Sequence, residues 1–190
     1  MRGVSMRITK KTVIDTAADI ADKNGLHGVS LKVVAERLNI KTPSLYNHIE
    51  NLDDLLREVA HQGMRNMNMR LERAAIGKIA GNAIKAVGIE YLNYMIEHPG
   101  VYETIQWATW NGTHETAQIF ENYLDLLRTL ISSCQIQKSS TEEVLNILTA
   151  TIHGYTTLQL RYAFENPEQV RRNLSKALDT VLLGIGELYK

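Results

Sequence analysis

Apolar residues recur at helical spacing along almost the whole chain. Between Thr9 and Asn24, Val13, Ala17, Ile20 and Ala21 fall on one face, which predicts an amphipathic helix. Asn24-Gly25 supplies the stop, because both residues tolerate a left-handed backbone. Ser30 is placed to cap a second helix, Leu31 to Leu38, with Leu31, Val34, Ala35 and Leu38 inward. Thr42-Pro43 signals a third, short helix from Pro43 to His48, with Thr42 as its cap. Asn51 caps a fourth, reaching about Arg73, and Asp53 and Asp54 fall in its first turn, where the helix dipole favours acids.

Further along, Gly77 and Gly81 mark a linker. Asn82 to Glu97 carries the stripe Val87, Tyr91 and Tyr94 or Met95, and His98-Pro99-Gly100 breaks it. Val101 to Asn111 and Thr113 to Ser133 follow, the latter with Ile119, Tyr123, Leu126, Leu127 and Leu130 inward. The spacing Ser140-x-x-Glu143 reads as a capping box opening a helix from Thr141 to about Phe164. Asn166-Pro167 opens the last helix, to Tyr189. The pattern predicts an all-α fold of about nine helices, with no strand and no solenoid repeat.

The 190 residues suffice for one or two domains with a real core. One cysteine, Cys134, excludes an internal disulfide and a cysteine-based zinc ribbon. No apolar run is long enough to span a membrane, and the N-terminus lacks a signal-peptide core, so a cytoplasmic protein is expected. Met6 is an alternative start, which leaves Met1 to Ser5 as a weakly ordered extension.

The formal charge is zero, from 21 basic and 21 acidic residues. That total conceals an asymmetry. Residues 1–50 hold eight basic and five acidic side chains, and Arg2, Arg7, Lys10 and Lys11 precede the first acid. Residues 51–125 hold six basic and ten acidic, and residues 126–190 hold seven and six. A basic first quarter suggests an anionic partner for that segment.

Leu31 to Glu50 has the parts of a helix-turn-helix. Two short helices that cross closely need a small residue at the contact, here Ala35. The turn needs a residue that accepts a left-handed backbone, here Asn39. Val34, Leu38, Ile40 and Leu45 are the apolar anchors. The second helix then offers Lys41, Thr42, Ser44, Tyr46, Asn47 and His48 outward, groups suited to phosphates and base edges in a major groove. The competing interpretation is an all-helical enzyme or interaction module that reuses a helical hairpin.

The stretch Thr9 to Leu56 resembles the tetracycline-repressor (TetR) family of bacterial transcription regulators. The resemblance rests on Ile14-Asp15-Thr16-Ala17-Ala18, Asn24-Gly25, Val29-Ser30-Leu31, Val34-Ala35-Glu36-Arg37-Leu38, Thr42-Pro43-Ser44-Leu45-Tyr46-Asn47-His48-Ile49 and Leu55-Leu56. It implies a three-helix DNA-binding domain over residues 7–53 and a helical ligand-binding and dimerising domain over 54–190. It also implies repression from a double-stranded operator, relieved by a small-molecule effector. Lys32 matches a basic backbone contact, and Lys41, Thr42, Pro43, Ser44, Tyr46, Asn47 and His48 match the recognition-helix positions. Tyr46 and His48 are expected at phosphates, and Thr42, Pro43, Ser44 and Asn47 nearest the bases. Leu52 stands where the family commonly has a lysine, which removes one phosphate contact. Ile152-His153-Gly154-Tyr155 is similar to the Trp-His-Gly signature of one C-terminal class, with Ile for Trp. The resemblance further implies a homodimer through the last two helices, where Leu158, Leu160, Leu174, Leu178, Val181, Leu182 and Ile185 supply apolar area. Gly154 and Gly184 would allow close approach there.

A ligand pocket is expected among the middle helices, from Tyr91, Tyr94, Tyr102, Trp107, Trp110, His114, Tyr123 and His153. Each of these is also an ordinary core or interface aromatic. Glu58-x-x-His61 is half of a di-iron motif without the second pair, which leaves both residues facing solvent. No phosphate loop, nucleophile elbow or carboxylate pair stands out, so no cofactor, metal or catalytic residue is assigned. Cys134 is expected as a buried structural thiol.

Overall fold

The computed structural model describes residues 8–161 and 166–189, so Met1 to Ser5, Met6, Arg2, Arg7 and Phe164 lie outside the described residues. All regular structure among the described residues is helical. Eight α-helices run α1 (Lys10–Asn24), α2 (Leu31–Arg37), α3 (Leu52–Ala75), α4 (Ala80–Glu97), α5 (Pro99–Asn111), α6 (His114–Ser132), α7 (Thr141–Arg161) and α8 (Pro167–Leu188). A 3₁₀ helix at Thr42–Asn47 takes the place of the third helix, and 3₁₀ turns occupy Leu26–Gly28 and Lys138–Ser140. The all-α fold is as the periodicity predicts.

The chain forms two compact units. The first comprises residues 1–63 and 98–116; the second comprises residues 64–97 and 117–190.

In the first unit, α1 starts at Thr9, whose hydroxyl accepts from the Thr12 N–H at 3.1 Å, and stops at Gly25, whose φ is 74°. Val13, Ala17, Ile20 and Ala21 are buried, as their spacing predicts. Ser30 caps α2 by accepting from the Val33 N–H at 3.2 Å. The turn after α2 is a Schellman motif. Asn39 takes φ 55°, its N–H reaches the Glu36 carbonyl at 3.1 Å, and the Ile40 N–H reaches the Ala35 carbonyl at 3.0 Å. Val34, Ala35 and Leu45 are fully packed, whereas Leu38 and Ile40 are half-buried.

The third helix differs from expectation. It is 3₁₀ rather than α, it begins at Thr42, and Lys41 holds the cap position without a side-chain bond. Its bonds span three residues, such as Ser44 N–H to the Lys41 carbonyl at 2.9 Å and His48 N–H to the Leu45 carbonyl at 2.8 Å. A six-residue segment with a proline in its first turn has too few amide donors to repay an α-helical nucleus, and the tighter helix serves short pieces.

In the second unit, α4, α7 and α8 pack on one another. Gly88 makes that crossing close: a Cβ there would lie 2.9 Å from Leu178 Cδ1 and 3.1 Å from Ile152 Cγ1. Val87, Tyr91, Tyr94 and Met95 are all buried, as are Leu148, Ile152, Leu174, Leu178 and Ile185. Full burial of each such side chain contributes about 1.5–3 kcal/mol. Helix spacing could not separate core from surface on α7 and α8. The structure does, because Leu158, Leu183 and Leu188 are 50%, 73% and 80% exposed.

Smaller boundaries also shift. The break between α3 and α4 is confined to residues 76–79, and Gly81 lies inside α4. Ser140 is part of a 3₁₀ turn continuous with α7, so it is not the extended N-cap of a capping box. Cys134 is half-buried, and that burial raises its thiol pKa. No described helix is long and apolar enough to cross a membrane.

Candidate nucleic-acid interface

A 3₁₀ helix has three residues per turn, so residues three apart eclipse one another. This sorts the segment into stripes. Leu45 is buried, with Thr42 and His48 half-buried on the same stripe. Pro43 and Tyr46 form an exposed ridge, and Tyr46 is 55% exposed. Lys41 and Asn47 are exposed beside a half-buried Ser44. The segment therefore presents Lys41, Pro43, Tyr46 and Asn47 to solvent from a base fixed by Leu45. Lys32 is exposed on α2, 3.9 Å from Glu36.

The start of α3 satisfies itself. The Asn51 side chain accepts from the Asp54 N–H at 2.9 Å, and the Asp54 carboxylate accepts from the Glu50 N–H at 2.9 Å. Leu52, Asp53 and Asp54 fill the first turn, which carries no cation of its own, while Lys10 of α1 lies beside Glu50 and Asp54.

The structure also revises the charge argument. Lys10 pairs with Glu58 at 2.6 Å, and this hydrogen bond raises the lysine pKa. Lys11 pairs with Asp15 at 2.6 Å. By sequence, residues 1–63 and 98–116 together carry nine basic and ten acidic side chains. The basic excess of the first 50 residues is thus offset within its own unit. Among the described residues, Lys41 has no carboxylate partner, and it stands where the exposed ridge begins.

What holds this unit together was mostly invisible in the sequence. Asp22 on α1 accepts from the N–H groups of Gly100 and Val101 at 2.9 and 3.0 Å, and its other oxygen meets His98 Nδ1 at 2.9 Å. Glu103 on α5 answers from the opposite direction, accepting from the Leu26 N–H at 2.7 Å. His61 does not face solvent. It is 4% exposed, hydrogen-bonded to Thr116 Oγ1 at 2.8 Å and 3.8 Å from Glu115, because its helix turns that face into the unit. Glu58 serves Lys10 instead of a metal.

The aromatic pocket candidates divide between the units. Tyr102, Trp107, Trp110 and His114 belong to the first, where Tyr102 is buried and Trp110 is 87% exposed. Tyr91, Tyr94, Tyr123 and His153 belong to the second. There the rings of Tyr91 and Tyr123 lie 5.4 Å apart, and the Tyr91 hydroxyl is 3.4 Å from His153 Nδ1. Tyr94 is engaged by a cation instead. The Arg70 guanidinium sits 5.4 Å over its ring, held at Glu97 at 2.6 Å and at Glu90.

Known proteins agree with this architecture. A family model described as the C-terminal domain of tetracyclin-repressor-like proteins matches residues 84–181, over half of the chain. The HTH-type transcriptional regulator YobS of Bacillus subtilis (strain 168) is 29% identical over 180 residues, 94% of this chain and 93% of YobS. A protein of unknown function from Rhodococcus sp. RHA1 has the same fold, with a TM-score of 0.85, 18% identity and coverage of 98% of this chain and all of that one. A TetR variant from Acinetobacter baumannii AYE, in complex with minocycline, superposes with a TM-score of 0.72 at 18% identity over 97% of this chain and 99% of that one. The chain belongs to the tetracycline-repressor-like (TetR) family and is a DNA-binding transcriptional regulator.

Proposed function

We propose that this regulator is a ligand-responsive repressor. Two copies bind a pseudo-palindromic operator, and a small molecule releases them. The observation that carries this reading is the exposed ridge of Lys41, Pro43, Tyr46 and Asn47 on a base fixed by Leu45 and the Asn39 turn. In this reading Tyr46 and His48 meet phosphates, with Lys32 and Lys41 as backbone contacts. Thr42, Pro43, Ser44 and Asn47 approach the bases. Residues 7–53 are the reader, and residues 54–190 carry the effector and dimer functions. Acting on DNA implies a cytoplasmic protein.

The apolar surface of α7 and α8 supports the dimer. Leu158 and Leu183 are exposed there, and a Cβ at Gly154, Gly184 or Gly186 would meet nothing within 4 Å. A second copy of the same two helices would cover this surface as a four-helix bundle. The two readers would then meet half-sites about 34–36 Å apart, or a multiple of that. For the effector we retain Tyr91, Tyr123 and His153, because Tyr91 meets each of the other two; the Acinetobacter neighbour, in complex with minocycline, supports a small-molecule ligand.

The test is a gel-shift titration with DNA from upstream of the protein's own gene. A sequence-specific, salt-sensitive complex of two chains per site supports the reading. Its absence there, with a folded dimer, rejects it.

A further inference from the structure

Helix α2 is seven residues long, and Val34 and Ala35 are its buried side chains. A helix that short does not hold itself, so its direction is set by what grips its ends. At its start the grip is a run of backbone bonds. The Gly28 N–H reaches the Gly25 carbonyl at 3.0 Å, the Val29 N–H reaches the Leu26 carbonyl at 3.1 Å, and the Val34 N–H reaches the Ser30 carbonyl at 3.0 Å. Val29, in the middle of this run, is buried. The Leu26 N–H, at its beginning, is taken by Glu103 Oε2 of α5 at 2.7 Å, across 77 positions of sequence. Glu103 is itself placed, because α5 is seated just before it, where Asp22 accepts from Gly100 and Val101. Two carboxylates therefore bracket the turn between α1 and α2, one at Asp22 and the other at Leu26.

We propose that Glu103 is a positioning residue for DNA reading. Its carboxylate fixes the Leu26–Gly28 turn and, through it, the direction in which α2 and the segment Thr42–Asn47 are presented. This rests on the reading of that segment as the DNA-contacting surface. At the far end of α2 the bonding continues, since the Ile40 N–H holds the Ala35 carbonyl, so a swing of α2 carries the Asn39 turn with it. Glu103 is exposed and acidic, the wrong charge for a phosphate contact. Electrostatics and positioning therefore predict opposite signs. Removing a carboxylate from the unit that meets DNA should, by charge alone, tighten binding. Removing the acceptor that fixes the turn should weaken it. Glutamine at this position separates the two effects, because it loses the charge and keeps an acceptor oxygen.

The experiment compares the unaltered full chain with Glu103→Ala and Glu103→Gln. Binding is measured on DNA from upstream of the protein's own gene and on a mixed-sequence duplex, with melting and amide exchange on the same samples. Both substitutions suit an exposed helix position, so both variants should stay folded with little change in melting point. Glu103→Ala should weaken the specific complex about tenfold, the equivalent of one hydrogen bond, without weakening binding to the mixed duplex. It should also speed amide exchange about tenfold at Leu26 and from Val34 to Leu38. Glu103→Gln should stay within about threefold of the unaltered chain in both measurements. A specific complex as tight or tighter with the alanine variant would overturn the proposal. So would equal weakening by both variants, or faster exchange confined to Leu26. If the unaltered chain forms no specific complex, the DNA reading itself fails and takes this proposal with it. A specific complex that is indifferent to Glu103→Ala but lost in Tyr46→Ala removes this proposal and leaves that reading intact.

Discussion

Gly100 lies against the backbone of Ala21 so closely that a Cβ on it would stand 1.9 Å from the Ala21 carbonyl carbon. Only glycine lets the start of α5 reach that position on α1. There the N–H groups of Gly100 and Val101 fall within reach of the Asp22 carboxylate. A carboxylate on free amides at a helix N-terminus makes charge-assisted bonds and also favours the helix dipole. This contact makes α5 part of the unit that holds the 3₁₀ helix Thr42–Asn47.

Substitution at this contact should be costly. Gly100→Ala has backbone, not a flexible side chain, in its way, so a loss of about 3 kcal/mol or more is expected, the upper end for overpacking. Asp22→Ala leaves two helix-end amides without their acceptor and should cost about 2–3 kcal/mol. Urea melts of both variants check these values. No measurable cost for either would contradict the arrangement.

The Asn39 turn gives a second prediction. At φ 55°, Asn39→Gly should be close to neutral, whereas Asn39→Val should cost about 1–2 kcal/mol because a β-branched residue is strained there. Thermal melts of the pair separate backbone strain from lost side-chain bonds.

A pH dependence follows from His153. Burial lowers its pKa below the usual 6.5. In acid the unfolded chain therefore takes up this proton before the folded chain does. Stability from this group is complete above about pH 6.5 and is lost as pH falls through that value toward the folded pKa. His153→Gln should flatten the fall in denaturation midpoint between pH 7 and 5. An identical pH profile in the variant would contradict the assignment.

Much of this fold was legible from helical spacing and caps. Ser30 and Asn51 each accept the N–H bond their position foretells, and Asn39 adopts the left-handed turn. The third helix was found at the right place but as the wrong type, since spacing over six residues cannot tell 3₁₀ from α. His98-Pro99-Gly100 was read as a simple break. Its use as a seat for Asp22 depends on residues 76 or more positions apart, which no local pattern carries. Net charge misled in part for the same reason: Asp53, Asp54 and Glu58 offset most of the basic excess, and acids at 103 and 115, which fold back into the unit, cancel the rest.

The near-neutral first unit predicts a modest number of phosphate contacts. Operator affinity should therefore fall with salt less steeply than in a strongly basic reader, and specificity should depend on two readers bound together. Binding measured from about 50 to 200 mM salt gives that slope.

The most direct test of the central claim compares the unaltered chain with Lys41→Ala and Tyr46→Ala on operator DNA. Both side chains are exposed, so neither change should alter the melting point or the dimer. Lys41→Ala should weaken operator binding and reduce the salt slope by about one, and Tyr46→Ala should abolish the specific complex. Unchanged operator binding in both folded variants would contradict the assignment of this ridge as the DNA-reading surface.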